Sequence, residues 1–110
     1  MITIIFDTDP NTYRASLIVD GHANFDDIGR DIVCASVSIL TYTIAKVIDN
    51  NMGSRIAENS VVRLDNGKAF INVHCMSREC YLDILGHFET VLTGYRLIAE
   101  EYPQNVVVKT

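Results

Sequence analysis

Short apolar strands interleaved with two long helical stretches predict an α+β domain, its two helices packed on a mainly antiparallel sheet in the order ββ-α-ββ-α-β. Three observations carry that expectation. Apolar residues recur at spacings of three and four in two stretches, the pattern of one buried helix face. Asp65-Asn66-Gly67-Lys68 lies between two apolar runs, the strongest short-range hairpin signal, since both central residues are expected at positive φ. Asp9-Pro10-Asn11 supplies turn chemistry between two strand-like segments near the start.

Ile2 to Phe6 and Ala15 to Gly21 read as the first two strands. The first helix runs from Asp31 to about Asn51, with Val33, Val37, Leu40, Ile44 and Val47 as its buried stripe and Asn50-Asn51-Met52-Gly53 as its stop. Val61 to Leu64 and Ala69 to His74 form the hairpin around Asn66-Gly67. The second helix starts at Ser77, a good N-cap, and runs to about Glu101 before Pro103 stops it. Its stripe is Tyr81, Leu85, Phe88, Leu92, Tyr95 and Ala99. Gly86 and Gly94 each cost this helix about 1 kcal/mol relative to Ala, which close packing against the other helix would justify. Val106 to Lys109 is the last strand.

A chain of 110 residues, 48% apolar and 21% charged, is expected to form one domain over residues 1–110. The start, Met1-Ile2-Thr3-Ile4-Ile5-Phe6-Asp7, has no basic leader and reads as a strand. No apolar run approaches the roughly 20 residues of a membrane span, so a cytoplasmic, non-membrane protein is expected. In that compartment Cys34, Cys75 and Cys80 stay free thiols. A net charge of −5 with scattered basic residues argues against direct nucleic-acid binding.

The residues that suggest chemistry lie around the first helix start. Gly21-His22-Ala23 closes the second strand, and Gly29 precedes Asp31-Ile32-Val33-Cys34-Ala35-Ser36-Val37-Ser38. Cys34 falls in the first turn, where the helix dipole and unpaired N–H groups favour a thiolate. Asp31, Cys34 and Ser38 share one helix face, which Thr41 and Ala45 continue with small side chains, an open strip that a substrate is able to approach. His22 is the candidate general acid and base. By residue type alone, Cys34 also fits a packed core thiol and His22 a loop histidine.

Gly21-His22-Ala23, then Gly29, Asp31-Ile32-Val33-Cys34-Ala35 and Ser38, together resemble the Prp (YsxB-like) family of ribosomal-processing cysteine proteases, a likeness that extends over essentially the whole chain. The resemblance implies Cys34 as nucleophile and His22 as its partner, with Gly21, Gly29, Asp31 and Ser38 as supporting or substrate-binding positions. It also implies a peptide substrate, the N-terminal extension of large-subunit ribosomal protein L-twenty-seven, cut beside a pair of phenylalanines. A homodimer and a His-to-Cys loop that moves without substrate follow from the same likeness; no cofactor is expected. Ser36 departs from the Ala common in the family, but it lies off the Cys34 face.

Read back through the residues, Gly21 and Gly29 are suited to act as loop hinges. Phe25 either covers the site or anchors the loop. Asp31 either orients His22 or caps the helix. N–H groups at the helix start, that of Cys34 included, are the natural oxyanion donors. His74, Cys75 and Cys80 match no standard zinc spacing, so no metal site is expected. A different class of reading stays open beside the enzyme: a ribosome-associated binding or assembly module that holds its partner without cutting it.

Overall fold

The computed structural model describes residues 1–27 and 30–110, apart from the side chains of Asn51 and Met52. Gly29, a sequence candidate, lies outside the described residues. The elements run β1 (Ile2–Asp9), β2 (Arg14–Asp20), α1 (Ile32–Met52), β3 (Val61–Asp65), β4 (Lys68–His74), α2 (Arg78–Glu101) and β5 (Val106–Lys109). This is the expected α+β order. The five strands form one sheet in the order β3-β4-β2-β1-β5. β5 pairs parallel to β1, and the other pairings are antiparallel.

Alternation builds the core. Ile2 and Ile4 of β1, Leu17 and Val19 of β2, and Ile71 and Val73 of β4 are buried, while Ile5, the next residue after Ile4, points to the other face and is exposed. Ile84, Phe88, Leu92 and Tyr95 of α2 and Val33, Val37 and Ile44 of α1 complete the same cluster. β1 extends past Phe6 because backbone pairing continues through Asp7↔Ser16 to Asp9↔Arg14. Its polar end disguises a strand that the Asp7–Arg14 ion pair, at 2.9 Å, closes on the sheet surface.

Ser77 caps α2 as expected, its Oγ accepting from Cys80 N at 3.1 Å. The two helix glycines differ. A methyl group at Gly94 would stand 2.8 Å from a Leu40 methyl, so the helices cross there at close range. At Gly86 nothing lies within 4 Å, and helix packing does not account for it. α1 also corrects two expectations. Its buried stripe shifts from Val47 onto Ile48, and it takes in Thr41 and Ala45. The open face therefore closes one turn beyond Ser38: Thr41 is only 3% exposed, and its hydroxyl donates to Val37 O at 2.8 Å. That leaves the hydroxyl oxygen to accept from Tyr95 OH at 2.7 Å.

Residues Ile32–Asn50 do have the length and apolarity of a membrane span, with a mean hydropathy of 1.6, contrary to the expectation that no run approaches it. Here that apolarity serves packing: one side of α1 lies in the core formed with α2 and the sheet.

Candidate active site

His22 and Cys34 reach the same place from different elements. β2 ends at Asp20, and Gly21 turns the chain at φ 104° against the Met1 carbonyl, a spot with no room for a side chain. His22 follows. Cys34 stands in the first turn of α1. Both side chains line a cavity of about 120 Å³ with Ser38, Asn66 and Gly67, and both line an adjoining pocket with Asn24, Asp31 and Ala35. Four of the sequence candidates, His22, Asp31, Cys34 and Ser38, thus meet around one recess, and Gly21 forms part of its wall.

No hydrogen bond joins His22 to Cys34 among the described residues. Instead the backbone between strand and helix approaches the sulfur: Ala23 N–H donates to Cys34 Sγ at 3.2 Å. On its other side, Ala23 O accepts from Asn105 Nδ2 at 2.9 Å. Asn105 lies in the α2–β5 turn, 82 residues away, and Ala23 is 1% exposed.

Asp31 is wholly committed to the backbone. Its Oδ1 accepts from Val33 N at 3.0 Å and Cys34 N at 2.9 Å, the bonds of a helix cap. Its Oδ2 accepts from Phe25 N at 2.9 Å and Asp26 N at 3.3 Å, which ties the loop to the helix start. Burial acts to raise its pKa, but these four N–H bonds outweigh it and hold the carboxyl below the ordinary aspartate range. The carboxylate makes no bond to His22 among the described residues. The expected oxyanion donor is spoken for as well, because Asp31 already accepts the Cys34 N–H.

Phe25, 46% exposed, sets its ring edge-on to Tyr102 with centroids 5.1 Å apart, and it lines neither pocket. It anchors the loop to the end of α2. The hairpin contributes more than its sequence signal implied. Gly67 alone takes positive φ, at 76°, so a turn demanding glycine only at its second central residue replaces the expected pair. Gly67 O accepts from Gly21 N at 2.8 Å, and a Cβ at Gly67 would stand 2.7 Å from His22 Nε2. The turn is therefore a wall against which the imidazole rests.

The remaining thiols stay apart from this recess. Strand alternation sends His74 to the opposite sheet face from Cys75, where its Nε2 meets Asn72 Nδ2 at 3.2 Å. Cys75 and Cys80 are buried, and burial, reinforced by its bond to Cys80, pushes the Cys75 thiol up to about 12. A second groove begins where the cavity ends, sharing Tyr42 and Leu64 with it and continuing past Ile48, Ile56 and Val62.

Comparison with known proteins identifies the family and the fold. The ribosomal processing cysteine protease Prp of Staphylococcus aureus is 29% identical over 108 residues, spanning 96% of this chain and 95% of that protein. The crystal structure of that organism's Prp with a covalently linked product peptide is 26% identical, with a TM-score of 0.72, over 99% of this chain and 98% of the other. A Streptococcus mutans structure, SMU.848, shares the fold at 23% identity and a TM-score of 0.68, over 99% and 92%. The family model described as "Cysteine protease Prp" matches residues 1–107. The chain belongs to the Prp family of cysteine proteases.

Proposed function

We propose that this cysteine protease removes the N-terminal extension of large-subunit ribosomal protein L-twenty-seven, with Cys34 as nucleophile and His22 as general acid and base. The observation that carries the reading is the convergence of His22 and Cys34 on one recess, the sulfur exposed to it and accepting a backbone N–H at 3.2 Å. The S. aureus relatives support the substrate class: their names describe ribosomal processing, and one structure holds a covalently linked product peptide.

In the proposed reaction His22 takes the proton from Cys34, and the thiolate attacks the scissile carbonyl carbon to give a tetrahedral oxyanion. Collapse breaks the C–N bond as the imidazolium gives its proton to the leaving amine. His22 then removes a proton from water, whose oxygen displaces the sulfur from the thioester and releases the carboxylic acid. The proton returns to the thiol. The two side chains come into contact as the peptide seats in the recess, with the groove beyond Tyr42 and Leu64 receiving the apolar residues of the extended chain. The same reading places the protein in the cytoplasm as a homodimer.

Incubating the protein with a peptide bearing that ribosomal extension, followed by mass spectrometry, tests the reading. Cleavage is expected with the wild type and its loss with both Cys34→Ala and His22→Ala. Binding by the wild type without cleavage would instead favour a holding module.

A further inference from the structure

We propose that the Ala23 N–H is a catalytic group, the donor that stabilises the Cys34 sulfur as an anion, and that Asn105 is the positioning residue that sets it. The proposal rests on Cys34 being the nucleophile. A sulfur anion in a recess needs donors, and at a helix start the nearest are the first-turn amides. Here those of Val33 and Cys34 are taken by Asp31 Oδ1 at 3.0 and 2.9 Å. Among the described residues, the donor that reaches Sγ is Ala23 N–H at 3.2 Å. A hydrogen bond to an ionised acceptor is stronger than one to a neutral acceptor, so this contact strengthens as the proton leaves.

The other charged and titratable groups around the recess are His22 at the end of β2, Asp26 and Asp31 from the loop and cap, Tyr42 from α1, and Asp65 and Lys68 from the hairpin. None of them donates to Sγ among the described residues. What holds Ala23 is the side-chain amide of Asn105, whose Nδ2 donates to Ala23 O at 2.9 Å. Asn105 is itself gripped through its backbone: its N–H donates to Tyr102 O at 3.0 Å, and its carbonyl accepts from Ile2 N at 2.8 Å. A residue fixed at three points reads as a rigid mount, and the α2–β5 turn is thereby part of the nucleophile's environment. Loop closure through Phe25 and Tyr102 is a separate contact.

The pH dependence of Cys34 alkylation by iodoacetamide, followed on the Cys34 peptide by mass spectrometry, tests this without any substrate. Asn105→Ala is expected to move the midpoint upward by about one pH unit, slowing alkylation about tenfold on the acid side. Ala23→Pro, which deletes the donor, is expected to move it at least as far. Tyr102→Leu, which loosens the loop but leaves Asn105 and Ala23, is expected to leave the midpoint in place. An unchanged midpoint in folded Asn105→Ala overturns the proposal, as does an equal shift in Tyr102→Leu; should Ala23→Pro not fold, Asn105→Ala decides. Cleavage surviving Cys34→Ala would instead defeat the protease reading, so the two failures are distinguishable.

Discussion

Gly67 occupies a turn where two requirements coincide: a φ of 76° and an imidazole packed where its side chain would be. Adding one methyl group there strains the turn by about 1–2 kcal/mol and also displaces His22, because Nε2 would be 2.7 Å away and must move. Gly67→Ala is expected to remain folded while kcat/KM on the ribosomal peptide falls about a hundredfold, the scale of a misplaced catalytic group. A wild-type rate in that variant would show that the turn is scaffolding only. The Asn-Gly pair made the turn readable in the sequence. Its contact with His22 was not, because strand order decides which turn meets which loop, and β4 pairs with β2 only in the folded sheet.

Between β2 and α1 the chain is fastened as a unit. Asp31 joins the N–H groups of Phe25 and Asp26 to those of Val33 and Cys34, so one carboxylate sets both the loop and the helix start. Its pKa is lowered in the fold from its ordinary value of 3.8. The stabilisation is therefore present above the unfolded pKa and lost as pH falls through the folded one. In an amide NMR titration, the Phe25 and Asp26 signals are expected to move together with those of Val33 and Cys34 below about pH 4. Asp31→Asn keeps a cap oxygen but turns a donor toward the loop, and it is expected to abolish the Phe25 and Asp26 response. If those two signals ignore acid in the wild type, Asp31 does not fasten the loop. As a cap, Asp31 was legible from its place before Ile32-Val33. Its second pair of bonds depends on the path of the loop, which local spacing does not encode.

The molecule as a whole is a single layer of helices on one side of a sheet, and its stability is concentrated where the layers meet. Phe88 is fully buried, with Phe6 from β1 on its ring at 5.0 Å, tilted by 41°. Phe88→Ala is expected to cost about 3–5 kcal/mol and to lower the melting temperature steeply, whereas a small effect would mean that the core repacks around the void. Element order and most of each buried helix stripe were readable because hydrophobic periodicity is local, but the burial of the small residues Thr41 and Ala45 on α1 was not. The parallel β1–β5 pairing and the contribution of Asn105 were not, because they arise from long-range closure. The same core accounts for an asymmetry among the sulfurs: Cys34 opens into the recess, while Cys75 and Cys80 are sealed away and Cys75 resists ionisation up to about 12. The protein thus carries its own stoichiometric gauge. Under native conditions one equivalent of an electrophile counts competent molecules in a preparation, and uptake beyond one equivalent counts molecules whose cores have come apart.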